Sequence, residues 1–276
     1  MMQNKGKQKK PIEIVRKPII PGSWHGKDAQ KMAFKRWLSV LATTAIYLFG
    51  CVLLSFDAMW GRILTCFTLV AGIAYYQYMQ GLSQGENDVA YGEIIYSRRQ
   101  NGYNVSAQEC ERSFHPLKGL FAALAGSAPF VLFALVFAFM AKPVYYSLGV
   151  LPAWAEGLMS QTEFATGLNY YNVGGELGVY GVMRIVVRAM TMPFVNIATA
   201  MDANTVLLAE RLSPLFVLIS PLGYAIGYMR GQQLRDQINT GIKVGDDKKK
   251  KREQKARKKR QRQQQQRTSK GPQQLV

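Results

Sequence analysis

Leu120 to Met140 reads LFAALAGSAPFVLFALVFAFM, 21 residues without a charge. At ~1.5 Å rise per residue an α-helix of that length is about 31 Å long, close to the thickness of a bilayer's hydrocarbon core. The stretch identifies an integral membrane protein, and the other segments are placed relative to it. Lys118 marks its entry and Lys142 its exit.

Three further stretches read as spans. Trp37–Leu54 is uncharged and opens on a tryptophan suited to the headgroup level. Gly61–Met79 follows a short turn, with Arg62 at its edge and Tyr75, Tyr76 and Tyr78 as an aromatic belt. So short a turn makes these two an antiparallel hairpin. Leu212–Met229 is the last, with Pro214 and Pro221 inside it.

Gly178–Ala200 is also apolar, but Arg184 and Arg188 sit near its middle, one turn apart on one face, and Pro193 breaks it. Each arginine at a bilayer centre costs about 2.5–3.5 kcal/mol on the insertion scale. We read this segment as an interfacial or re-entrant helix. Arg184 and Arg188 are candidate contacts for lipid or substrate; the competing reading makes them the polar face of an interfacial helix.

Charge is concentrated at the ends. Residues 1–36 hold 10 lysines and arginines against 2 acids, and residues 230–276 hold 16 against 4, in a chain of formal charge +18. The positive-inside rule puts both ends in the cytoplasm, which requires an even number of spans. The expected organisation is a flexible basic arm (1–36), a helical membrane domain (37–230) and a basic tail, disordered or helical (231–276). Pro11, Pro18 and Pro21 break any helix in the arm, whose apolar clusters would rest on the membrane surface. A helix is expected to begin around Asp28, as N-cap. The tail carries KKKKR at 248–252 and RKKR at 257–260.

Between the second and third spans, residues 80–119 read as a polar cytoplasmic loop with short elements at 89–96 and 108–114. Residues 142–177 read as an external region rich in Pro, Gly and aromatics, including Trp154, Tyr145, Tyr146, Tyr170 and Tyr171. No cleavable signal peptide is legible, because the first apolar run starts late and no small-residue cleavage motif follows.

Motifs for chemistry are weak. Gly81-Leu-Ser83-Gln-Gly85 matches a nucleophile elbow but follows a membrane helix instead of a strand, so it reads as a helix C-cap and turn. Glu86, Asp88 and Glu93, with Glu109 and Glu111, lack any metal-site spacing and read as a solvated acidic loop. Cys51, Cys66 and Cys110 form neither a disulfide framework nor a zinc knuckle. The glycosylation sequon at Asn104 falls in the loop read as cytoplasmic. No cofactor, metal site or catalytic set is expected, so the chain reads as a non-enzyme. Small residues do form packing faces: Gly223, Gly227 and Gly231 in the last span, Ala122, Gly126 and Ser127 in the third. They imply that these two spans touch, or that one of them dimerises with a second copy.

From the second span onward the chain carries Tyr75-Tyr76, Gly85-Glu-Asn-Asp88-Val-Ala-Tyr-Gly92-Glu-Ile94, Gly102, Pro116-Leu-Lys118-Gly119 entering a span that contains Pro129, and Pro221-Leu-Gly-Tyr-Ala-Ile-Gly227-Tyr. On these residues, across about half its length, the chain resembles a group of uncharacterised membrane proteins from Gram-positive anaerobes. That resemblance implies a multi-pass protein of a bacterial plasma membrane and no residue roles. The tail is similar to the basic tails of ribosome-contacting membrane insertases, although the lipobox and the intramembrane arginine of that family are not where expected.

The expectation is therefore an all-α polytopic protein of four spans, a scaffold or accessory component with basic arms on anionic lipid. Alternatives are a small transporter or channel using Arg184 and Arg188, and an insertase-like protein whose tail touches the ribosome. Partners in view are the bilayer with its anionic lipids, another membrane protein or a second copy, and nonspecific RNA or ribosome contact through the tail.

Overall fold

The computed structural model describes residues 14–54, 56, 58–142, 157–158, 161 and 178–269. Among these the chain is all-helical with no strand. In order, the helices are α1 (Lys27–Leu53), α2 (Met59–Gln100), α3 (Ala107–Glu111), α4 (Pro116–Met140), α5 (Val179–Met190), α6 (Met192–Thr199), α7 (Ala203–Arg211) and α8 (Ser213–Ser269). The external aromatics expected at Tyr145, Tyr146, Trp154, Tyr170 and Tyr171, and the last seven residues of the tail, lie outside the described residues.

Two helices, α1 and α4, are long and apolar enough to cross a membrane, and up to four spans result if each bent pair is counted as one. The bent pairs are α5–α6, broken by 100°, and α7–α8, broken by 51°. That number of candidates is consistent with a helical membrane protein. The stretch Gly61–Met79 lies in α2, which is not among these candidates; Arg62 and the tyrosine belt lower its hydropathy.

Three expectations are corrected. First, residues 80–100 are not a loop. α2 runs unbroken for 42 residues, about 63 Å. Gly81-Leu-Ser83-Gln-Gly85 lies in mid-helix and is no C-cap. The reason is a parallel packing of α2 against α8, the most extensive interface in the molecule. Gly85 and Gly231 meet backbone to backbone there, and a side chain at either would run into the opposite main chain. Glycine is normally a weak helix residue, but here it permits the close approach that stabilises the pair. Gly223 and Gly227 face Ala74, Tyr78 and Leu82 of α2 in the same seam.

Second, the acidic residues of that stretch are not solvated: Asp88 and Glu93 are buried. Third, the arm is not free from Val15 onward but packs on the helices. The amide of Gly22 donates to the Phe114 carbonyl at 3.0 Å, and the amide of Val15 donates to Thr240 Oγ1 at 3.0 Å. Arg16 pairs with Asp236 at 3.1 Å, and Ile19 packs on the cluster of Met32, Val89, Phe114, Ala122 and Tyr228.

α4 packs on α8 and α1. Gly119 takes the Tyr228 ring, and Gly126 receives the α1 backbone at Ala33 and Trp37. The third and last expected spans touch through Gly119, Ala122 and Ala123, but the glycines expected to make that contact face other helices: Gly126 meets α1, and Gly223, Gly227 and Gly231 meet α2. α1 starts at Lys27, ten residues before the apolar run, with Gly26 at its N-cap and Asp28 in its first turn.

Candidate functional site

At the polar end of the bundle two ion networks lock α2, α4 and α8. Lys118 is fully buried at the start of α4. Its Nζ lies 2.6 Å from Asp28 and 3.2 Å from Asp88, and donates to the carbonyls of Glu111 and Arg112. The Tyr228 hydroxyl donates to Asp88 Oδ2 at 2.6 Å, and Gln84 donates to Oδ1 at 2.8 Å. Burial pushes the Asp88 carboxyl above its ordinary range, against the pull of Lys118, Tyr228 and Gln84. One turn further, Arg235 of α8 spans Glu86 and Glu93, and Asn239 donates to the other Glu93 oxygen at 2.7 Å. The hydrogen bond from Arg235 to Glu93 raises the arginine's already high pKa. Each of these carboxylates has a cationic or hydrogen-bonding partner within the fold. No cluster of three metal-ligating side chains occurs among the described residues.

Beside this core, α1 and α2 stand apart and leave a cleft of about 900 Å³. Lys31, Lys35 and Arg36 of α1 form one wall and Tyr76, Gln80 and Ser83 of α2 the other. Arg112 and Glu111 close one end, and Tyr224 of α8 forms the floor. Arg36 is pinned: its Nη1 donates to Gln77 and Gln80, each at 2.9 Å, and its guanidinium lies 4.1 Å over the Tyr224 ring. Gln77 also donates to Ser39. Sequence reading passed over this cleft. Lys31, Lys35 and Arg36 read as the end of the basic arm where it reaches the membrane interface, Gln77 as part of a span, and Gln80 and Ser83 as loop residues. The four-residue spacing of Lys27, Lys31 and Lys35 was the available signal.

Arg184 and Arg188 are brought together, but around a residue that sequence reading did not single out. Glu210 of α7 is 1% exposed. Arg184 forks onto it at 2.9 and 2.8 Å, and Arg188 Nε donates to it at 2.7 Å. Arg184 also reaches the Lys142 carbonyl and lies 5.2 Å over Tyr180. The triad ties the α5 side of the 100° break to α7 and α4, and one buried carboxylate offsets part of its charge.

α8 continues past the bundle. From Gly245 to Gln265 every residue is exposed, with 11 lysines and arginines against 3 acids. Gly241 and Gly245 have open space around them. The helix therefore carries its charge on a stalk of exposed residues.

No protein-family model matches the chain, and neither does any curated protein or solved structure.

Proposed function

We propose that the protein is a non-enzymatic, multi-pass scaffold or accessory component of a bacterial plasma membrane, whose α8 stalk docks a cytoplasmic polyanion such as RNA. In this reading α1, the apolar half of α2, α4 and the first turns of α8 cross the bilayer. The broken pair α5–α6 is re-entrant on the outer side, and both ends are cytoplasmic. The observation that carries it is the continuity of α8. At about 1.5 Å per residue, Lys248 lies roughly 27 Å and Arg262 roughly 48 Å beyond Arg230. Those distances exceed the ~8 Å Debye length at physiological salt. A helix leaving along the membrane normal thus presents its cations to the cytoplasm more than to its own lipid.

The test is binding of a mixed single-stranded RNA by the full chain in neutral phosphatidylcholine nanodiscs. Expected is an affinity that falls linearly with salt on logarithmic axes, lost when residues 246–276 are deleted while membrane insertion stays intact. Equal binding by the truncated protein contradicts the reading. So does loss of RNA binding when the disc lipid is made anionic, because the stalk would then lie on its own membrane. Resistance of the protein to alkaline extraction from membranes checks the location by itself.

An insertase-like role is the second reading, favoured by one observation: a polar cleft lies between α1 and α2 in a chain that also carries a basic stalk. Accelerated insertion of a short single-span substrate into proteoliposomes supports it, and a rate equal to protein-free vesicles removes it. A transporter using Arg184 and Arg188 has no comparable support, since both arginines are committed to Glu210.

A further inference from the structure

The scaffold reading above leaves the cleft between α1 and α2 without a role, and the cleft's charges are out of balance. Lys27, Lys31 and Lys35 stand four residues apart on α1, Arg36 follows, and Arg112 faces them. Like charges at that spacing repel unless an anion stands among them. The two carboxylates of the lining do not serve. Asp28 is 2.6 Å from the buried Lys118 ammonium, and Glu111 accepts the Lys27 amide at 3.2 Å. Among the described residues no carboxylate pairs with Lys31, Lys35, Arg36 or Arg112. Arg36 is held by two glutamines and the Tyr224 ring, and its Nε is buried without a partner. A buried donor in that state is the mark of a missing acceptor.

We propose that this cleft is a binding site for a phosphate group, taken as the headgroup of an anionic phospholipid. A phosphate offers several acceptor oxygens, which suits ammonium point charges, a fixed guanidinium and neighbouring amide and hydroxyl donors at Gln80, Ser83 and Gln108. Tyr76 and Met79 line the same cleft and are 60% and 43% exposed, so they offer an apolar surface to an acyl chain. Trp37, one residue past Arg36, and the tyrosines of α2 mark the level where headgroups lie. Only the choice of lipid over free phosphate rests on the membrane reading; the site itself does not.

The test uses the full chain in a neutral maltoside detergent at about 0.15 M salt. Dihexanoyl phosphatidylglycerol, dihexanoyl phosphatidylcholine, glycerol 1-phosphate and a pentaglutamate peptide are titrated separately by calorimetry. The expected result is saturable binding of the phosphatidylglycerol near one per chain, weakened at least tenfold in Lys31→Gln/Lys35→Gln. Both lysines are exposed, so the double variant should fold, which its circular dichroism checks. Replacement of Lys248 to Lys251 by Gln should leave the affinity unchanged, which separates the cleft from the tail. Glycerol 1-phosphate binding as tightly as the lipid keeps the phosphate site and makes free phosphate its source. The proposal is overturned if the double variant binds like wild type, if only the tail variant loses binding, or if pentaglutamate alone is bound. Extraction of the protein by alkali, with phosphate binding intact, would sink the membrane reading and spare the site.

Discussion

The ammonium of Lys118, wholly enclosed at the first turn of α4, lies 3.2 Å from the Asp88 carboxylate in the middle of α2. The pair joins two segments that are separate in sequence, and it shares Asp28 and Tyr228 as further partners. Removing one member leaves a buried charge without its counterpart. Lys118→Met should therefore destabilise by about 3–5 kcal/mol. The double variant Lys118→Met/Asp88→Leu should recover much of that loss. Thermal unfolding in detergent, followed by circular dichroism, measures both; a double variant no more stable than the single would show that the ion pair is not what holds this corner.

The seam of α2 and α8 makes two opposite expectations for glycines of one helix. Gly231→Val places a branched side chain against the Gly85 and Glu86 backbone and should cost about 1–3 kcal/mol or more by overpacking. Gly245→Ala, with nothing within 4 Å, should stabilise the stalk by roughly 0.8–1 kcal/mol through helix propensity alone. Helix content and unfolding of the two variants, compared with wild type, should move in opposite directions. If both move the same way, the seam is not packed as described.

Much of this was legible in the sequence, and what was missed has a common cause. The uncharged runs of α1 and α4 needed no partner to be read as long apolar helices, because length and apolarity are properties of the stretch itself. The second half of α2 was read as a loop because Gly81, Gly85, Asp88 and Glu93 are poor residues for an exposed helix. Each is explained by a residue some 140 positions away: Gly81 by the Tyr224 backbone, Gly85 by Gly231, Asp88 by Tyr228, Glu93 by Arg235 and Asn239. Local propensity carries no record of such a partner. Arg184 and Arg188 were visible as a pair for the same local reason, and Glu210 was not, since nothing near it in sequence marks it as buried.

Glu210 carries a third expectation. Glu210→Gln leaves two arginines, 14% and 25% exposed at their side chains, without their shared carboxylate. A loss of about 3–5 kcal/mol is expected, whereas Arg188→Gln, which leaves the Arg184 fork intact, should cost much less. Unfolding in detergent distinguishes them. Equal losses would mean that the fork of Arg184 does not dominate the triad.

α3 provides a pH dependence. Glu109 closes a capping box with Ser106, whose backbone and hydroxyl hydrogen bonds hold its carboxyl below the ordinary value of about 4.5. A carboxylate depressed in the folded state contributes its stability above the unfolded pKa and loses it as pH falls through the folded one. The amide of Cys110, bonded to the Ser106 carbonyl at 3.2 Å, should keep its exchange protection near neutral pH and lose it progressively as pH falls below the ordinary glutamate range. Hydrogen exchange corrected for intrinsic rates reads this, with Glu109→Gln expected to be insensitive across the range. Constant protection in the native chain would remove the capping box from α3's stability.

The most direct measurement concerns the continuity of α8 from the seam with α2 into the basic stalk. Spin labels at Gln237→Cys and Gln261→Cys, in a chain with Cys51, Cys66 and Cys110 replaced, are separated by 24 residues. In nanodiscs an unbroken helix places them about 36 Å apart with a narrow distribution. A broad distribution centred near ~27 Å, as for a flexible chain of that length, would contradict the stalk and with it the docking function built on it.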